Sequence, residues 1–260
     1  MRITSSLALV AFAAACAHAP LLQTQPIEAT VHGGQDDVTI VVRYTPGDDA
    51  VAQQVRRALR VAVPMAKRWG ALSAPVTITI HPTHEALEVA AGHSDHAWLR
   101  AWARRDSVDL QSPRTWSRGV ATDAELAQLL AHELTHCAMY QALGRDARRA
   151  RGVPIWFREG MATTSAEEHP VAVDGPRAGG DPLTPSALLY RTDSPLVYAT
   201  ADRAFRFLVR RCGEERIRRL LERVRGGTGF PEAFQEIMGV ALSAFEDEFR
   251  SYDREAMARR

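Results

Sequence analysis

A chain of 260 residues, 46% apolar and 24% charged, has globular composition and is long enough for one sizeable domain or two small ones. A formal net charge of +1, from 32 basic and 31 acidic residues, excludes the basic excess of a nucleic-acid reader, so no nucleic-acid partner is expected. The one dense basic run, GRDARRARG (144–152), reads as a solvated loop.

The chain opens with MRITSSLALVAFAAACAHAP: a positive start at Arg2, an apolar stretch from Leu7 to Ala15, then small residues. That is the layout of a signal peptide, too short to span a membrane, and it implies export to the periplasm or cell envelope. Two cleavage readings compete. AAAC resembles a lipoprotein processing site, which would make Cys16 a lipidated N-terminus and a membrane anchor. AHA, ending at Ala19, fits plain secretion, although Pro20 after the cut hinders signal peptidase. The expected division is residues 1–19 as signal, 20–35 as a polar linker and 36–260 as one domain.

Within that domain, 36–120 alternates strand and helix patterns. DVTIVVRY (37–44) is rich in β-branched residues and predicts a strand; 50–70 has helical periodicity, with Pro64 expected to kink or break it. APVTITIHP (74–82) predicts a second strand, THEALEVAAG (83–92) a short helix stopped by Gly92, and DSVDLQSP (106–113) a third strand. Four histidines, His81, His84, His93 and His96, fall in turn-like segments and read as solvent-facing or cleft-lining. Trp98 and Trp102 read as core, and Trp116 as core or cleft wall.

Residues 121–260 show helix patterns only, so the fold class is α+β. Thr122 and Glu125 form a capping box and Gly144 suits a helix end, which brackets a helix over about 123–143. Ser243 and Glu246 predict a second capping box. Cys137 and Cys212 sit in helical patterns and read as small buried apolar residues rather than as a disulfide pair.

The 123–143 helix carries the chemistry. Its stretch LLAHELTHCA (129–138) places Glu133 in the middle of an apolar stripe, where a carboxylate is costly unless paired or facing a polar cavity. His132 and His136 lie one turn apart beside it. This H-E-x-x-H spacing lets two imidazoles converge on one Zn²⁺, with Glu133 placed as general base on a zinc-bound water. A catalytic zinc takes a third protein ligand. PIWFREGMA (154–162) offers Glu159, with 22 residues between it and His136, and with Glu167 and Glu168 as rivals. Gly160 inside this helical segment costs about 1 kcal/mol against Ala, which points to close approach to the motif helix or to substrate.

LLAHELTH together with VPIWFREGMATTSA resembles the gluzincin metallopeptidases, the peptidase MA-like group with a P-x-W-x-x-E-G-x-A element. The likeness spans about residues 75–255 and is specific at the two motifs. It implies a zincin-like fold, one zinc held by His132, His136 and Glu159, and Glu133 as base. The implied activity is that of a zinc-dependent peptidase acting on peptide or protein substrates in the envelope or outside the cell, with no obligate protein partner evident. Several gluzincins stabilise the oxyanion with a tyrosine on a later helix; Tyr198 is similarly placed, with Tyr190 its rival. The resemblance further implies an edge strand that holds the substrate backbone, for which 107–113 is the candidate. Thr163 stands where thermolysin-type enzymes carry an aspartate behind a zinc histidine, which leaves that support unassigned. The competing reading is a non-catalytic zinc-binding envelope lipoprotein that uses the scaffold as a binding module; the retained base Glu133 argues against it.

Overall fold

The computed structural model describes residues 25–33, 36–94, 96–116, 121–170 and 180–259. The signal segment and Cys16 lie outside them.

Five strands form one mixed sheet in the order β1-β2-β3-β5-β4. Its centre is parallel: β2 (Asp36–Tyr44), β3 (Val76–His81) and β5 (Ser107–Gln111). Both edges are antiparallel, β1 (Gln25–Gly33) on β2 and β4 (Ala101–Ala103) on β5. Residues 25–33 were expected in a linker; they pair with β2 along their full length instead. Strict alternation builds the central strands. Val76, Ile78 and Ile80 of β3 and Val108 and Leu110 of β5 face the core, while Thr77, Thr79, His81 and Asp109 turn to the other face.

Two helices cover the apolar face, α1 (Asp49–Ala66) and α3 (Asp123–Leu143). Pro64 does not break α1. It lies near the C-terminus on the exposed side, where water can take up the carbonyl that the missing N–H leaves free. α3 begins at the expected capping box: Thr122 Oγ1 accepts from Glu125 N–H, and Glu125 Oε2 accepts from Thr122 N–H. On the opposite face α2 (His84–Ala91) closes a small cluster of Leu87, Ala91 and Leu99. Trp98 and Trp102 border that cluster half-buried and also line the cleft below, so they are not core residues. Trp116 packs on the main core.

The second half is helical: α4 (Ala147–Gly152), α5 (Ile155–Ser165), α6 (Ala187–Thr192), α7 (Ser194–Cys212), α8 (Glu214–Arg225), α9 (Phe230–Met238) and α10 (Leu242–Ala258). The basic run read as a loop therefore contains the short helix α4. An aromatic core of Trp156, Phe157, Phe205, Phe230, Phe234, Phe245 and Phe249 holds this half together. The second capping box does not form: Ala241 is the N-cap of α10, and Glu246 Oε1 accepts from Trp156 Nε1 at 2.9 Å. Burying an indole N–H demands such an acceptor. α3 serves both cores, with Leu126, Leu130 and Leu134 in the first and Met139 and Leu143 in the second.

Candidate active site

Two helices bring the ligand set together. α3 presents His132 and His136 one turn apart, and α5 crosses it with Glu159. Gly160 sets the depth of α5: a Cβ there would stand 2.2 Å from the Ala201 carbonyl oxygen and 2.5 Å from Phe205 Cβ. The close approach that the glycine permits is thus to α7, not to α3 or a substrate.

Glu159 Oε2 lies 3.5 Å from His132 Nε2 and 3.3 Å from His136 Nε2. A zinc tetrahedron with bonds of ~2.0–2.1 Å has edges of about 3.3–3.4 Å, so these atoms stand at the separations one zinc requires. These three residues form the one such cluster among the described residues, and all three are buried. His81, His84, His93 and His96 do not make a second. His81 is buried against Asp109, His84 contacts Gln111 and Glu88, and His93 packs on Trp102.

The charges also call for a cation. Burial disfavours a charged His132, yet Glu168, Glu159 and Glu133 together hold its pKa well above the usual value. Glu159 is buried too, and the adjacent His136 and His132 hold its carboxyl well below the usual range. Glu133, Glu159 and Glu168 around His132 and His136 make an acidic setting that favours a cation, whether a proton on His132 or a divalent ion.

Glu133 is not among the clustered ligands. It lines the cleft without a hydrogen bond or ion pair among the described residues, and burial raises its pKa against the pull of His132 and His136. A carboxylate free of partners and shifted toward neutrality is suited to moving protons.

Glu168, a rival ligand in the sequence, has a different place. Its Oε1 stands 3.3 Å from His132 Nδ1, on the far side of the ring from Nε2. The contact is at ion-pair distance but does not meet hydrogen-bond geometry, since His132 Nδ1 has no bonded partner. Glu168 thus stands behind His132, away from the clustered ligand atoms. Thr163, at the position that resemblance pointed to, bonds Gly160 and Asp202 instead.

Both tyrosines reach the site. Tyr190 Oη lies 3.4 Å from Glu159 Oε1 and 3.1 Å from Tyr198 Oη, and the Tyr198 ring is 5.9 Å from the His132 ring. Tyr198 sits in the second turn of α7. Burial and the nearby carboxylates hold both phenols well above their ordinary pKa, so both remain O–H donors.

These residues open into a cleft of about 300 Å³ between α3, α5 and the β4 edge. The edge strand is β4 and not 107–113, which is interior, paired on both sides. Arg100 O and Arg104 N bond to β5, so by antiparallel alternation Ala101 and Ala103 turn their backbone groups outward.

Neither protein-family models nor curated proteins give a match to this chain. Solved structures do. An M1 zinc metallopeptidase from Deinococcus radiodurans aligns with 87% of this chain and 51% of its own, at a TM-score of 0.51 and 15% identity. Legionella pneumophila aminopeptidase A, in complex with aspartic acid, aligns with 87% of this chain and 28% of its own, at a TM-score of 0.55 and 12% identity. The fold is the one these zinc metallopeptidases have. The chain spans about half the length of the first structure and less of the second. The cleft has a sheet edge on one side, the H-E-x-x-H helix as its floor and the helix of Glu159 opposite. Cys137 belongs to that floor as packing. It is free, buried and bonded to Arg104 O; Cys212 is also free, half-buried on the second core.

Proposed function

We propose that the protein is an exported zinc-dependent peptidase. The observation that carries this is the triad of two Nε2 atoms and one carboxylate oxygen at zinc-ligand separations, beside an unpartnered Glu133. His132, His136 and Glu159 would hold the ion. Zinc, when bound there, supplies a Lewis acid for the scissile carbonyl and acidifies water. Glu133 takes the proton from the attacking water and delivers it to the leaving amine. Tyr198, backed by Tyr190, donates to the developing oxyanion, and Glu168 fixes the ring orientation of His132. The outward groups of Ala101 and Ala103 bind an extended substrate as an added strand, the function first assigned to 107–113. The leader supports export to the periplasm or envelope, with lipidated Cys16 as the membrane anchor; no helix among the described residues is long and apolar enough to cross a membrane.

The test combines zinc content per chain with hydrolysis of a peptide library by wild type and Glu133→Gln. One zinc per chain in both proteins, with cleavage by wild type alone, supports the reading. Zinc retention without any cleavage that the variant spares favours the binding module, and loss of zinc from wild type overturns both.

A further inference from the structure

Half-buried arginines outside the cleft, among the described residues, are met by carboxylates, while Arg158 in the cleft forms no such pair. Arg203 pairs with Asp253, Arg206 with Asp202 and Arg250 with Asp181. Arg158, half-buried on α5 beside Glu159, has no ion pair among the described residues. Its Nη1 donates to Tyr140 Oη at a long 3.4 Å, and its buried Nε has no hydrogen-bond partner. The other arginine lining the cleft, Arg100, is tied to the carbonyls of Ala97 and Leu99.

A guanidinium stays charged at every physiological pH and presents a planar fork of donors. Held partly out of water with only one long hydrogen bond to its fork and no carboxylate on it, it is costly to the free protein, and a ligand carboxylate reduces that cost by bidentate pairing. Its setting fits this use. Arg158 lines the same cleft as the triad, Ile155 stands one turn earlier on α5, and the Tyr140 ring stacks on His136 at 6.1 Å between centroids. The Tyr140 hydroxyl, whose oxygen accepts from Arg158, keeps its own proton to donate.

We propose that Arg158, with the Tyr140 hydroxyl, forms a carboxylate-binding subsite, so that the preferred substrates are peptides carrying a carboxylate next to the bond cut. That carboxylate is either an Asp or Glu side chain or the peptide's own C-terminus. Ile155 supplies an apolar flank for the carbon chain that bears it. The inference rests on the peptidase reading for the word substrate, but its binding component stands apart from hydrolysis.

The experiment uses the full zinc-loaded chain in the Glu133→Gln background, so that binding is measured without turnover. Peptides of one neutral sequence are compared in three forms: C-terminal amide, free C-terminal carboxylate, and amide with Glu replacing Gln at each position in turn. One acidic form should bind about 10-fold or more tighter than its neutral counterpart, the effect of a charge-assisted pair. The form that gains identifies the source of the carboxylate. Adding Arg158→Gln should abolish the preference without changing zinc content, Arg158→Lys should restore part of it, and Tyr140→Phe should weaken it. Equal binding of all forms, no binding of any, or a preference that survives Arg158→Gln overturns the proposal. The preference in the background protein needs no Arg158 variant, so poor folding of one does not void the test. Wild type that cleaves acidic and neutral peptides alike leaves the peptidase reading standing without the subsite. A carboxylate preference in binding with no cleavage by wild type leaves the subsite standing without the peptidase.

Discussion

Two buried histidine–carboxylate groups sit within one domain, and they differ in how their charges close. On the sheet face away from α1 and α3, His81 Nε2 meets Asp109 Oδ1 at 2.8 Å, and Arg104 pairs with the other oxygen of Asp109. One anion faces one arginine and one imidazole, which is a balanced arrangement. In the cleft, His132 and His136 face Glu133, Glu159 and Glu168, and among the described residues no arginine pairs with any of the three. A closed group of the first kind holds strands together. A group left with surplus charge and free donor atoms is costly unless something else completes it. The residue types are the same, and the imbalance marks the functional site.

Substitutions on each side sharpen this contrast. The largest effect is expected from Glu133→Gln, which should lower kcat/KM on a cleaved peptide by about 10²–10⁴-fold while zinc content stays at one per chain. Tyr198→Phe should lower kcat by about 10²–10³-fold with little change in KM, and Tyr190→Phe by less; the reverse order would make Tyr190 the oxyanion donor. Glu168→Gln should weaken zinc binding by about 10–100-fold in a chelator competition, and unchanged affinity would remove Glu168 from its place behind His132. The smallest effect on the site should come from the balanced group. Asp109→Asn should cost about 1–3 kcal/mol of folding stability and leave zinc affinity unchanged. Its pH dependence has a definite sign. Burial opposes ionisation of Asp109, but His81 and Arg104 hold its folded pKa below the ordinary value. The stabilisation is therefore complete above the unfolded carboxyl pKa of about 3.9 and is lost as pH falls through the lower folded value. Denaturation midpoints of wild type and variant should differ at pH 7 and converge below about pH 4.

Local signals carried the ligand set and the frame around it. The H-E-x-x-H spacing, the capping box at Thr122 and the alternation in 76–81 are all determined within a few residues, and each appears in the structure as the sequence implies. Features that depend on distant partners were not legible. β4 is three residues long and exists only by pairing with β5, so the edge was assigned to the wrong strand. Glu246 had a capping role by spacing but is held by Trp156, ninety positions earlier in the chain. Glu168 looked like a spare ligand because nothing local says that it turns back onto His132. Tyr140 and Arg158 could have drawn notice as polar residues four positions after His136 and one before Glu159, yet only the folded cleft shows that Arg158 feels Glu159 at a distance and forms no ion pair among the described residues.

α3 contributes to both cores and carries two of the three residues clustered at metal-ligand spacing. Synthesis delivers α3 before α5, so a chain that has built only the sheet and α3 presents two imidazoles without the third ligand. Tight capture of the ion must wait until the aromatic half docks and Gly160 lets α5 settle against α7. Assembly of the ligand set is then a late step of folding, and a chain that stops short of α5 lacks the carboxylate that completes it.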